Sequence, residues 1–245
     1  MIPKVIHYFW FGRNPLPPLA VKCIESWKKF LPDYEIKEWN EDNFDVNMTQ
    51  YTREAYEAKK YAFVSDFARF WILYQYGGVY FDTDVEVLKP MDVILGKGSF
   101  MGCETDKTTG VNTDITVAPG LGFACEAGNI FLKDIIEIYK EKSYKKDFAN
   151  NGCKTIVDYT TELLLSKGLK NTTDIQCIDN IHIYPTEYFN PINIVTHRMH
   201  ITKKTYSIHH YTATWKEESF IDKVKNTIRP LIPEQILKWY NNTGK

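Results

Sequence analysis

The stretch that most restricts the fold is Tyr76-Gly77-Gly78-Val79-Tyr80-Phe81-Asp82-Thr83-Asp84-Val85-Glu86-Val87-Leu88. Gly77-Gly78 can stop a helix, because glycine takes the left-handed C-cap conformation without a Cβ penalty. Val79 to Phe81 then start a strand, and Val85 and Val87 resume one. Asp82 and Asp84 lie between, two residues apart, so an extended backbone points both carboxylates to the same side. Like charges placed there repel unless something positive lies between them. A divalent cation with a preference for oxygen, Mn²⁺ or Mg²⁺, meets that need. An acidic turn closing a buried strand is the plainer alternative.

The residues before Gly77 favour the cation. Tyr61 to Tyr76 reads as a helix, apolar nearly all round as a core helix is. Asp66 and Arg69 interrupt it, three residues apart and therefore on one face. Charged residues are seldom buried without a partner or a task. A structural ion pair accounts for them alone, but not for their place on the helix that feeds the Asp82/Asp84 strand.

Ahead of this helix, Lys4 to Phe11 is an apolar strand and Gly12 to Pro18 a loop. Leu19 to Leu31 is a helix, with Val21, Ile24, Trp27 and Leu31 at helical spacing. Tyr34 to Trp39 is a second strand. Strand, helix and strand at this spacing make a βαβ unit and hence a parallel sheet, whose ligands sit outside the carboxyl ends of the strands. Trp10 stands at such an end, either facing that crevice or packed beneath it. A short helix spans about Thr52 to Lys60. After Leu88, strands are expected near Phe100–Glu104, Ile115–Val117 and Ile181–Pro185. Helices are expected from Asn129 to Lys142 and from Thr160 to Lys167, with a charged loop from Lys145 to Gly152. Tyr206 to Trp215 reads as a late strand. Adjacent His209 and His210 point to opposite faces of it, so at most one can join a shared site, and register decides which. His is a frequent ligand for Mn²⁺-type ions.

Composition limits the partners. A formal net charge of -1 gives no electrostatic support to nucleic-acid binding. Five scattered Cys without a CxxC spacing read as reduced thiols. With no signal-peptide pattern and no long apolar run, the expectation is a cytoplasmic protein, with peripheral contact at the inner face of the membrane as an option. The expected domains are residues 1–215 and an amphipathic tail, 216–245, packed on the domain or resting on a membrane surface.

Ala62-Phe63-Val64-Ser65-Asp66-Phe67-Ala68-Arg69 followed by Tyr76 to Asp84 resembles the sugar-binding DXD region of glycosyltransferase family 32. That group includes bacterial capsular-polysaccharide transferases and yeast-type mannosyltransferases, and the large glucosylating toxins share the pattern. The resemblance implies a GT-A-type, Rossmann-like α/β fold with a mostly parallel central sheet flanked by helices. It implies a metal-dependent hexosyltransferase that uses a nucleotide sugar, UDP-sugar foremost, and a saccharide or lipid-linked saccharide acceptor in surface or capsular polysaccharide synthesis, with retention. Carried residue by residue, it makes Asp84 a direct metal ligand. Asp82 contacts ribose, sugar and, through water, the metal. Asp66 accepts from sugar hydroxyls, and Arg69 holds Asp66 and the donor. Trp10 stacks on uracil, and Thr214 and Trp215 meet the phosphates from a closing loop. His210 or His209 completes the metal shell. No carboxylate stands out as a nucleophile. Two other readings compete: a haloacid-dehalogenase-like phosphatase, disfavoured by Glu86 where a Thr or Val is usual, and a non-catalytic carbohydrate-binding module.

Overall fold

The protein is described from a computed structural model covering residues 1–107, 114–149, 154–193 and 198–212. Its first half follows the strand–helix–strand pattern. β1 (Val5–Phe9) leads through Pro17 and Pro18 into α1 (Pro18–Phe30), where proline's fixed φ suits the first turn. β2 (Glu35–Trp39) lies parallel to β1, in register from Val5 opposite Glu35 to Phe9 opposite Trp39. α1 buries Ala20, Cys23, Ile24 and Trp27, the i, i+3, i+4, i+7 set. Val21 lies one residue off that stripe and is exposed, contrary to its expected place in it.

α2 (Gln50–Glu57) begins two residues earlier than expected, because Thr49 and Thr52 form a reciprocal capping box ahead of it. α3 (Tyr61–Tyr76) keeps its expected limits and ends where Gly77 turns to φ 63°. β3 (Gly78–Tyr80) follows at once and pairs parallel with β1, Ile6 opposite Val79. Gly78 sits at φ 104°, and a Cβ there would come within 2.7 Å of the Val5 carbonyl oxygen and 2.9 Å of His7 Nε2.

The strand does not run on through Asp84, and here the sequence expectation is corrected. Val85 N–H donates to the Asp82 carbonyl at 3.0 Å, closing a turn over residues 82–85. β4 (Val85–Val87) therefore leaves the main sheet and pairs antiparallel with β9 (Ser207–His209). α1 holds it there: Trp27 Nε1 donates to the Val85 carbonyl at 2.7 Å, and the Ser26 hydroxyl accepts from Val87 N–H at 2.9 Å.

Beyond β4 come α4 (Asp92–Leu95), β5 (Phe100–Thr105), β6 (Thr116–Cys125), α5 (Ile130–Lys140), α6 (Tyr144–Ala149) and α7 (Ile156–Ser166). β7 (Gln176–Ile178), β8 (Ile181–Tyr184) and α8 (Thr186–Phe189) precede β9. The main sheet has the order β2-β1-β3-β6-β5-β8-β7. Five of its strands (β2, β1, β3, β5, β8) run one way, while β6 and β7 run the other. β6 is buried along all but its first residue, because both faces of the sheet are covered. One apolar cluster joins α2, α3, α5 and α7 to the sheet; a second joins α1, β4 and α8 to its other side.

α4, α6 and β7 escaped the sequence reading. α6 forms where a loop was expected because Glu54 accepts from Ser143 Oγ at 2.8 Å and from Lys145 N–H at 3.0 Å. Cys23, Cys103, Cys125 and Cys177 are free, and Cys153 lies outside the described residues, as does the tail 216–245. Among the described residues, no helix is long and apolar enough to cross a membrane. Gly78→Ala is expected to destabilise the fold by roughly 2–4 kcal/mol, through left-handed backbone strain and the contact with β1. Chemical denaturation measures it; a loss below about 0.5 kcal/mol would show that the approach to β1 is not tight.

Candidate functional site

The site is assembled around Arg69. α3 turns Asp66 and Arg69 inward on one face, and Arg69 Nη2 donates to Asp66 Oδ1 at 2.9 Å. Arg69 Nε donates to the Ser65 carbonyl at 3.1 Å, Nη1 lies 3.3 Å from Asp82 Oδ1, and the guanidinium stands 4.7 Å over the Tyr80 ring. The Tyr80 hydroxyl also donates to Asp82 Oδ1. The end of β3 is thereby tied to α3, at the carboxyl edge shared by β1, β3 and β5.

Gly120 on β6 makes room for this. Its carbonyl accepts from Asp82 N–H at 3.2 Å, and a Cβ there would stand 2.1 Å from Asp82 Oδ2 and 3.3 Å from Arg69 Nη1. Neither Gly120 nor Tyr80 stood out in the sequence. Tyr80 could have: it lies two residues before Asp82, so alternation puts both on one side. For Gly120 the available signal was a glycine inside a strand, which often marks close backbone approach.

The 82–85 turn, and not an extended backbone, brings the two aspartates together. Opposite the turn, β9 is in register with β4 so that His209 faces Val85. His209 Nε2 lies 3.0 Å from Asp84 Oδ1 and 3.5 Å from Asp82 Oδ2. Asp84 Oδ2 accepts from Thr212 N–H and Thr212 Oγ1, both at 2.9 Å. His210 turns the other way and meets Glu86 Oε2 at 2.9 Å, an oxygen that also takes Lys22 Nζ at 2.9 Å. Tyr211, at φ 49°, sets its ring edge-on to His209 with centroids 4.2 Å apart. Trp10 shares the carboxyl edge of β1 but gives its indole N–H to the Asn14 carbonyl at 2.6 Å. Thr214 and Trp215 lie outside the described residues.

One arginine serves two carboxylates, and the balance is uneven. Burial lifts Asp66 to about 7, against the pull of Arg69 and with the push of Asp82. Burial also penalises ionised Asp82, but Arg69 and His209 outweigh it and hold Asp82 well below the usual carboxylate range. Burial opposes a charged His209, yet its hydrogen bonds to Asp82 and Asp84 carry it up to about 10. Ligand atoms of Asp82, Asp84 and His209 lie within 4.8 Å of one another. Two carboxylates and an imidazole suit a cation such as Mn²⁺ or Mg²⁺. Among the described residues, His209 Nδ1 is buried without a hydrogen-bond partner, and Nε2 is the nitrogen turned to the cluster.

Residues 17–101 match the family model described as the glycosyltransferase sugar-binding region containing the DXD motif. An uncharacterized glycosyltransferase of Acanthamoeba polyphaga mimivirus is 30% identical over 207 residues, 79% of this chain and 77% of that protein. The chain belongs to this DXD glycosyltransferase family. Inositol phosphoceramide mannosyltransferase 1 of Schizosaccharomyces pombe is 32% identical over 111 residues, 41% of this chain and 33% of the relative. Inositol phosphoceramide mannosyltransferase 3 of the same yeast is 28% identical over 143 residues, covering 55% and 36%. The chain thus spans about a third of the length of these yeast relatives. The solved structure of the PaToxG glycosyltransferase has a TM-score of 0.52 at 18% identity over 68% of this chain and 70% of that one, and shares its fold. Family membership sets aside the phosphatase reading.

Asp84→Asn should lower the His209 titration midpoint by about 1–2 units, since one of two flanking charges is lost. NMR of the imidazole in metal-free protein checks it; an unchanged midpoint would mean that Asp84 is not what holds the proton there.

Proposed function

We propose that this family member transfers a hexose from a nucleoside diphosphate sugar, UDP-sugar foremost, to a saccharide acceptor, with a divalent cation held by Asp82, Asp84 and His209. The observation that carries the reading is the convergence of these three side chains from the 82–85 turn, which follows β3, and from β9. The Arg69 brace supports it, because it fixes Asp82 from the side opposite His209. A bound cation would offset the charge that builds on the departing diphosphate. Sugar transfer passes through an oxocarbenium-like state, so the chain's own work is to hold the donor and shield that charge.

In this reading Asp66, held by Arg69, accepts from sugar hydroxyls, and Trp10 stacks on the base at the end of β1. His209, not His210, joins the aspartates; His210 buttresses β4 through Glu86. Thr214 and Trp215 keep their proposed place at the diphosphate by family resemblance alone. Retention, and a part in surface or capsular polysaccharide synthesis, rest on the same resemblance. The Schizosaccharomyces pombe relatives are named for mannosyl transfer, so mannose belongs with glucose and galactose in a donor panel.

His209 carries its proton up to about pH 10 in the absence of a cation, so uptake of a cation displaces that proton. Mn²⁺ affinity should therefore rise with pH between about 7 and 9. UDP should raise the melting temperature only when Mn²⁺ is present, and Asp84→Ala should abolish both that shift and transfer while leaving the fold intact. Stabilisation by free saccharide but not by UDP would favour the carbohydrate-binding module. Trp10→Ala should weaken UDP binding by about 1–3 kcal/mol, the worth of one base–aromatic stack; a fall in stability with unchanged UDP affinity would make Trp10 a packing residue.

A further inference from the structure

Residues 198–206 run from the isolated bridge between Ile192 and Met199 to the start of β9. Their sequence, Arg198-Met199-His200-Ile201-Thr202-Lys203-Lys204-Thr205-Tyr206, holds three permanent cations, a histidine and no acid around two aliphatic side chains. Met199 is 46% exposed and Ile201 55%. The segment is nevertheless firmly built. His200 N–H donates to the Pro191 carbonyl at 2.8 Å, and Tyr206 N–H to the Tyr188 carbonyl at 2.7 Å. Thr202 Oγ1 donates to Glu187 Oε1 at 2.7 Å and Thr205 Oγ1 to the Glu187 carbonyl at 2.9 Å. Lys89 adds another cation: its ammonium stands 3.9 Å from the centre of the Tyr206 ring and donates to the Lys203 carbonyl. Among the described residues, Glu187 is an acid that meets the segment, its carboxylate 3.1 Å from Lys204 Nζ.

The segment thus shows water two aliphatic side chains on a braced backbone, with cations beside them. Other exposed aliphatic residues among the described ones, such as Leu165 on α7, have no second exposed aliphatic residue within two positions of sequence. A partner that accepts both features must carry anionic charge at its surface and an apolar layer just beneath. A bilayer containing acidic lipids has that profile. We propose that residues 198–206, with Lys89, dock this protein on an anionic lipid surface, Met199 and Ile201 entering the headgroup–acyl boundary and Lys89 and Lys203 facing lipid phosphates. The inference does not rest on the reaction proposed above.

Flotation with phosphatidylcholine vesicles, and with vesicles of phosphatidylcholine and phosphatidylglycerol in equal parts, tests this. The whole chain should float with the mixed vesicles, remain in solution with phosphatidylcholine alone, and be released by raised salt. Lys203→Glu should cut the bound fraction about fivefold or more, as expected for losing surface cations. The double change Met199→Ser with Ile201→Ser should do the same, whereas Leu165→Ser, an equally exposed control, should bind like the parent. Melting temperatures close to the parent's show that each variant is folded; a variant that fails this check is replaced by Lys203→Gln or Ile201→Thr. A parent chain that stays in solution with both vesicles overturns the proposal, and an acidic protein face then becomes the better match for the cations. Equal binding to both vesicle types overturns it too. Undiminished binding by both variants would place the membrane contact elsewhere in the chain.

Discussion

A single buried guanidinium holds the site and the fold together. Burying Arg69 costs several kcal/mol, which is offset only if its N–H groups all find acceptors and its charge finds counter-charge. The Ser65 carbonyl, Asp66, Asp82 and the face of Tyr80 meet those requirements from one helix and one strand end. α3 and β3 are therefore joined by more than the Gly77-Gly78 turn between them. His7 reinforces that turn from β1: its Nε2–H donates to the Gly77 carbonyl at 3.0 Å, while Nδ1 accepts from Trp39 Nε1 at 3.1 Å. Burial pushes His7 down to about 4, so it stays neutral and keeps both bonds.

Charge is rationed within the cluster. Arg69 stands between Asp66 and Asp82, and its influence falls chiefly on Asp82, which His209 also favours. Asp66 is left raised to about 7, because burial outweighs the pull of Arg69 and Asp82 adds to it. Gly120 sets the closest distance of this arrangement, since any side chain there would occupy the space of Asp82 Oδ2. The site is thus defined as much by a missing Cβ on β6 as by the acids themselves.

Much of this was legible in the sequence where signals were local. α3 kept its limits because an apolar run, a buried ion pair and Gly77-Gly78 all pointed the same way. The parallel pairing of β1 and β2 followed from element spacing. The joining of the aspartates was legible in outcome but not in cause: the turn at 82–85 depends on β4 leaving the main sheet for β9, a contact across more than a hundred residues of sequence. The choice between His209 and His210 needed that same register. α6 depends on Glu54, which lies far back on α2, so nothing local announced it. Tyr80 was readable by alternation; at Gly120 a glycine inside a strand signalled close backbone approach, but only the folded chain shows that its missing Cβ would meet Asp82.

Titration of Mn²⁺ into the UDP-saturated protein, its His209→Ala variant and its His210→Ala variant tests the cation cluster most directly. His209→Ala should weaken Mn²⁺ binding about tenfold or more, equivalent to about 1.4 kcal/mol, and His210→Ala by less than about threefold. Equal affinity in all three proteins, or the larger loss in His210→Ala, would contradict the assignment of Asp82, Asp84 and His209 as one site.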